Sequence, residues 1–147
     1  MKKTGRIFIP FLLALTLCSE CWGADEGSRV GGGVVIEVGA GGQIFPLRLE
    51  DNETARAFEA MLPLTLEMAD LNANEKYHNL RSPLPSSPEG VGTIRAGDVM
   101  LFGDDCIVLF YKSFSTPYRY TRIGRIEDVS TLEDAVGRGS VTVSFVR

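Results

Sequence analysis

The sequence has one histidine, His78, so a His-based metal site has no second imidazole, and any Ser-His-Asp triad would depend on this one residue. A lone loop histidine beside Tyr77 reads first as a structural or solvated group. Cysteine is nearly as scarce. Cys18 and Cys21 fall in the first two dozen residues, which leaves Cys106 alone in the remainder and excludes an internal disulfide there. Stability must therefore come from an apolar core, which a chain of this length can bury. Cys106, inside the run Cys106-Ile-Val-Leu-Phe110, reads as a small buried hydrophobe more readily than as a nucleophile. No basic face is evident either. Lysines and arginines are scattered apart from Arg119, Arg122 and Arg125, and that argues against a polyanionic partner such as nucleic acid.

Long hydrophobic runs are also missing. Lys2, Lys3 and Arg6 precede the apolar stretch Ile7 to Leu17, which is followed by Cys21-Trp-Gly-Ala24 and then Asp25-Glu26. This is the pattern of a signal peptide over residues 1–24: a basic start, a short apolar middle and a small-residue exit. At 1.5 Å per residue the apolar middle covers about 16 Å, roughly half of a hydrocarbon core, so it is too short to be a transmembrane span. Leu15-Thr-Leu-Cys18 resembles a lipobox faintly, with the bulky Leu17 where a small residue belongs. The expected location is therefore periplasmic or secreted, with a lipid anchor the lesser alternative. Cleavage would remove the Cys18-Ser-Glu-Cys21 spacing altogether. Taking Lys2, Lys3, Arg6 and Glu20 from 15 basic and 19 acidic residues leaves 12 and 18, a net charge of −6.

Residues 25–33 form a Gly-rich lead-in, expected to be flexible, and the domain proper is expected over 34–147. Val34 to Val38 and Gln43 to Glu50 are β-type runs joined by Gly39-Ala-Gly-Gly42, a hairpin signal. The glycines do not make a phosphate loop, since no GK[ST] follows and the next element is a strand. Asp51-Asn52 offers a helix N-cap. Ala55, Phe58, Met61 and Leu62 then fall at helical spacing before Pro63 ends the element. Leu64, Leu66 and Met68 alternate with polar neighbours, as in a half-buried strand. From Asn72 to Gly97 the composition turns to Asn, Pro, Ser and Gly, which predicts a long irregular connection and a place to look for a site.

Val99 to Phe102, Cys106 to Tyr111 and Tyr118 to Ile126 read as a meander, with Gly103-Asp-Asp105 as a tight turn. Ser130-Thr-Leu-Glu133 has the form of a capping box for a short helix that Gly137 can end, and Ser140 to Val146 closes the chain as a strand. About seven strands and two helices without a βαβ rhythm indicate a mainly β domain, an antiparallel barrel or closed sandwich.

Particular segments resemble a known family. Gln43 to Phe58, a strand followed by a Thr-Ala-x-x-Phe helix, resembles the opening of cyclophilins, and Ile107 to Tyr111 with Thr121 to Ile126 resembles their closing segment. The combination of Leu62 to Leu66, Asn74 to Tyr77, Gly97 to Leu101 and Tyr118 to Arg122 is closer still to bacterial cyclophilin-like proteins of unassigned function. The implied fold is a closed eight-stranded antiparallel barrel with two short helices. In cyclophilins, prolyl isomerisation depends on an arginine in a Phe-His-Arg strand and on a Gln-x-x-x-Gly-Asp neighbourhood. Here Leu64 to Leu71 has neither His nor Arg, Gly97-Asp98 lacks the upstream glutamine, and Val108-Leu-Phe110 stands where Gln-Phe-Phe is usual. Without a donor aimed at the prolyl amide, a rotation barrier of about 18–20 kcal/mol is left unlowered.

The resemblance therefore implies an exported binding module for a peptide or small ligand, with no cofactor and no metal. The alternative is a weak peptidyl-prolyl isomerase using Arg122 or Arg95 as a displaced donor. The candidate surface is aromatic: Tyr111, Phe114, Tyr118 and Tyr120, with Arg122 on the same strand face if Tyr118, Tyr120 and Arg122 alternate. Glu75 and Tyr77 join it from the long connection. Glu75 is a candidate partner for Arg122 across the cleft and, with Lys76, a candidate acid and charge partner, although adjacent charges in an Asn-rich loop more often face solvent. No catalytic residue is assigned, and the oligomeric state is left open.

Overall fold

The computed structural model describes residues 33–40 and 42–147. The expected signal peptide and nearly all of the Gly-rich lead-in lie outside the described residues. The hairpin comes first, with β1 (Val34–Val38) and β2 (Gln43–Leu49) paired from Val34↔Leu47 to Val38↔Gln43. Gly39 and Gly42 both sit at positive φ, +67° and +61°, the conformation this turn requires.

Helix α1 (Glu53–Ala60) follows, and Asn52 caps it: its Oδ1 accepts from the Ala55 amide at 2.8 Å. The helix seals one end of the molecule by inserting Phe58, whose ring meets Phe145 edge-on at 5.1 Å. Met61, expected on the same apolar stripe, is 36% exposed, and Thr54 joins the expected Ala55 and Phe58 on the buried face instead.

Then come β3 (Leu64–Leu71), β4 (Glu75–Asn79), β5 (Glu89–Gly90), β6 (Thr93–Ile94), β7 (Asp98–Phe102), β8 (Cys106–Phe110), β9 (Phe114–Ser115), β10 (Arg119–Ile126), α2 (Leu132–Val136) and β11 (Val141–Val146). The ladder runs β2-β1-β11-β3-β4-β8-β7-β10, and a further pairing of β10 with β2 closes it into an eight-stranded antiparallel barrel. β5 adds to β10 outside the barrel, and β6 pairs only with β9. A bulge between Arg122 and Gly124 bends β10 so that it can reach both β7 and β2.

The interior is filled by Ile36, Phe45, Leu47, Leu66, Met68, Leu101, Ile107, Leu109, Ile123, Val143 and Phe145. A second, smaller core lies on the outer face of β7, β8 and β10, where Ile94, Met100, Val108, Phe110 and Tyr120 pack together. Burial on both faces explains why Val99 to Leu101 and Ile107 to Phe110 are continuous apolar runs and not alternating ones.

Two expectations require correction. Residues 72–97 do not form one irregular connection: β4 within them is a full barrel strand, paired with β3 and, over five positions, with β8. Its sequence Glu-Lys-Tyr-His-Asn hides this because its inward side chain is charged. Lys76 is fully buried, yet its Nζ meets Asp70 Oδ1 at 2.9 Å and donates to the carbonyls of Gly137 and Gly139 at 2.9 and 2.6 Å. Those partners compensate the burial of a charge that would otherwise be excluded. The capping box is also absent. Thr131 is the N-cap of α2 and makes no side-chain cap, while the Ser130 hydroxyl donates to Asp128 Oδ1 at 2.7 Å.

Candidate functional site

Strand β4 carries Glu75, Tyr77 and Asn79 on one face, opposite Phe110, Val108 and Cys106 of β8. This is the outer face of the barrel, and here it forms the floor of a cleft of about 700 Å3. The β3–β4 turn supplies Asn72 and Asn74 at one rim, and the β7–β8 turn supplies Phe102, Gly103 and Asp105. The far wall is the segment from Phe114 to Tyr118 together with Tyr120. That segment is tied down at its centre, since the Thr116 amide donates to Gly92 O at 2.9 Å and the Tyr118 amide to Thr116 Oγ1 at 3.2 Å.

The rings form a continuous wall. Tyr118 meets Phe102 at 6.0 Å, Phe102 meets Tyr120 at 5.5 Å, Tyr120 meets Phe110 at 5.5 Å and Phe110 meets Phe114 at 5.8 Å. These separations and the mostly edge-on angles suit aromatic pairs. Tyr118 and Phe102 stand at the mouth, 61% and 45% exposed.

The charged groups lining the cleft, Glu75 and Asp105, are both acidic. Glu75 is only 9% exposed, and burial raises its carboxyl pKa, with the charge of Asp70 adding to the effect; no cation or donor among the described residues offsets either. Asn74 Oδ1 is fully buried and has no hydrogen-bond partner among the described residues. Burial likewise raises the Tyr120 hydroxyl, with Glu75 contributing. The Cys106 thiol is pushed up to about 11 by burial and then by Asp105 and Glu75. Such a thiol is protonated at neutral pH and is no nucleophile.

Five of the candidate residues, Glu75, Tyr77, Phe114, Tyr118 and Tyr120, line this one cleft. Tyr111 does not. Its hydroxyl donates to Asp70 Oδ1 at 2.5 Å, and its ring lies 5.3 Å from the Lys76 ammonium, so it belongs to the buried charge cluster. Nor does Arg122, which lines a separate polar cleft of about 530 Å3 with Asn52, Thr54, Pro85 and Thr121. Its Nε donates to Glu89 Oε1 at 2.9 Å, so the partner of Arg122 is Glu89 and not Glu75. β5 lies beside β10 and supplies Glu89, which the composition of the Pro-rich segment could not indicate. Lys76 is no charge partner for Glu75 either, because it projects to the opposite face. His78 points away from the cleft, with Nδ1 2.8 Å from Glu67 O, and Arg95 is exposed.

Residue-by-residue reading missed Asn74, Phe102 and Asp105 as cleft residues. The usable signal for Phe102 was an aromatic residue set directly before a Gly-Asp-Asp turn. Among the described residues no group of three or more His, Cys, Asp or Glu is placed to hold a metal ion, and no helix is long and apolar enough to cross a membrane.

A model of the cyclophilin-like family matches residues 38–146. The chain belongs to that family. Among solved structures, the one titled "Structure of McbB in complex with tryptophan" is similar with a TM-score of 0.59 and 16% identity, over 78% of this chain and 44% of that one. The chain thus spans less than half the length of that protein, and the likeness is one of fold. No curated protein matches the sequence. Strand β3, Leu-Thr-Leu-Glu-Met-Ala-Asp-Leu, carries no basic residue.

Proposed function

We propose that the protein is an exported cyclophilin-like binding module that takes a peptide or small organic ligand in the outer-face cleft, without prolyl isomerase activity. The observation that carries this reading is the cleft itself: an aromatic wall set over a buried, uncompensated Glu75. A volume of about 700 Å3 falls in the range of small-molecule sites, about 300–1,000 Å3, and such sites combine apolar walls with a few placed polar groups. The tryptophan bound by the structurally similar protein is compatible with small-ligand binding on this fold. Export rests on the basic-apolar-small pattern of residues 1–24.

Against catalysis stands the supply of cationic donors. Among the described residues, none of those lining the cleft is Lys, Arg or His. Arg122 is engaged by Glu89 in the other cleft. The test is NMR exchange spectroscopy on a panel of X-Pro peptides. The reading expects peptide-dependent shifts at Tyr77, Phe114 and Tyr118 with unchanged cis/trans exchange. Acceleration that Arg122→Ala or Arg95→Ala abolishes would make the protein a weak isomerase instead.

A further inference from the structure

The cleft offers its ligand hydrogen-bond acceptors and negative charge. Glu75 lies on its floor only 9% exposed, and Asn74, next to it in the chain, has its Oδ1 buried with no hydrogen-bond partner among the described residues. Asp105 brings a second carboxylate to the rim. Among the described residues no cationic side chain lines the cleft, and the nearest in sequence, Lys76, is committed to Asp70 on the other side of the sheet. Buried acceptors left without donors are costly and mark places where something else completes them. The same cleft is walled by aromatic rings, whose faces attract a cation. A bare metal ion fits poorly, because among the described residues no cluster of metal-ligating side chains is present.

We propose that the ligand is an organic ammonium: an amine with an aromatic or aliphatic body, its charged nitrogen on Glu75 and its body against Tyr77, Phe114 and Tyr118. The proposal rests on the binding-cleft reading and specifies the ligand class for it. The shared chemistry could come from a free arylalkylamine or from the amino terminus of a peptide.

The experiment is an NMR titration of the full chain at pH 7 with four probes: phenethylammonium, its neutral counterpart 2-phenylethanol, the dipeptide amide Phe-Ala-NH2 and the N-acetylated form of that dipeptide. The expected result is that the two ammonium probes shift Glu75, Asn74 and Tyr118. The neutral and acetylated probes should bind at least roughly tenfold more weakly, in keeping with a charge-assisted hydrogen bond. Phenethylammonium binding alone would assign a small amine, and stronger binding of the dipeptide a peptide terminus. Glu75→Gln should weaken the ammonium probes by roughly tenfold or more and leave 2-phenylethanol unchanged. Tyr118→Ala, at an exposed position that does not endanger folding, should weaken all four. Equal binding of charged and neutral probes in the cleft, or an affinity for phenethylammonium untouched by Glu75→Gln, would overturn the ammonium assignment while leaving the binding cleft standing. Cleft residues that respond to none of the probes would overturn both.

Discussion

Glu75 and Lys76 are neighbours in the chain whose charges never meet: the Lys76 ammonium lies 2.9 Å from Asp70 on the inner face of β4, while the Glu75 carboxylate faces the outer cleft with no counter-charge among the described residues. Strand alternation alone produces this separation. It leaves one charge fully compensated inside the barrel and the other uncompensated where a ligand can reach it.

The uncompensated charge has a consequence for stability. The folded-state pKa of Glu75 lies above the ordinary 4.5, raised by burial and by Asp70, with Tyr77, Tyr118, Tyr120, Cys106 and Asp105 the other titratable groups around the cleft. A raised carboxyl favours the fold fully below 4.5, and that contribution is lost as pH rises through the folded value. Glu75→Gln should therefore be more stable than the wild type at pH 7, by about 1–2 kcal/mol. At pH 4 the two should converge. Urea unfolding at both pH values checks the sign; a variant less stable at pH 7 would count against an uncompensated carboxylate.

Asp70 has the opposite sign. The hydrogen bond from Lys76, then that from Tyr111, hold its carboxyl below the ordinary 3.8, so its contribution is present above that value and is lost as pH falls through the lowered one. Replacing Lys76 by Met would take the counter-charge from Asp70, which keeps only the Tyr111 hydroxyl and the Ala73 amide, and the Lys76 donor from the carbonyls of Gly137 and Gly139. The expected cost is roughly 2–4 kcal/mol, read from the denaturant midpoint. A loss below about 0.5 kcal/mol would mean that the buried cluster adds little, as exposed ion pairs do.

Gly124 holds the bulge of β10 against β2. A Cβ there would lie 2.6 Å from Arg48 O and 3.1 Å from Leu47 Cδ1, with backbone that cannot move aside while the barrel stays closed. Gly124→Ala should lower stability by about 2–3 kcal/mol. Gly103, with open space around its Cβ position but φ +62°, should cost about 1 kcal/mol when replaced by Ala. Thermal melts of the two variants compare closure of the barrel with the conformation of a turn, and a milder effect at Gly124 would contradict the close approach.

Cys106 supplies a chemical probe of the cleft. With its pKa moved from 9.0 to about 11, roughly a hundredfold fewer thiolates are present at pH 8 than for an unperturbed thiol. Iodoacetamide should therefore alkylate Cys106 at least about tenfold more slowly in the folded protein than in the unfolded chain. Rates within about threefold of each other would show that burial and the acidic neighbours do not act on this thiol.

The fold was largely legible in the sequence because its signals are local. The Gly39 to Gly42 turn, the Asn52 cap and the doubly buried runs of β7 and β8 each announce themselves within a few residues. β4 was not legible, because a strand whose inward residue is Lys76 has no apolar period to read, and its burial depends on Asp70 and two carbonyls more than 60 positions away. The site was legible in part for the same reason. Tyr118, Tyr120 and Phe114 cluster in sequence, and Glu75 and Tyr77 come to them through the β4–β8 ladder. The placement of Arg122 with Glu89 depends on β5 pairing outside the barrel, a contact that no local pattern encodes.

On the proposed reading, Glu75 is held unpaired for a cationic ligand at a cost in stability. Thermal melting of wild-type and Glu75→Gln protein at pH 7, each with and without phenethylammonium, tests both halves together. The variant should melt higher in buffer and gain no more than about 1.4 kcal/mol from the amine, while the wild type is stabilised by about 2.7 kcal/mol at a hundredfold excess over its dissociation constant. An equal ligand shift in both proteins, or a variant that melts lower in buffer, would contradict it.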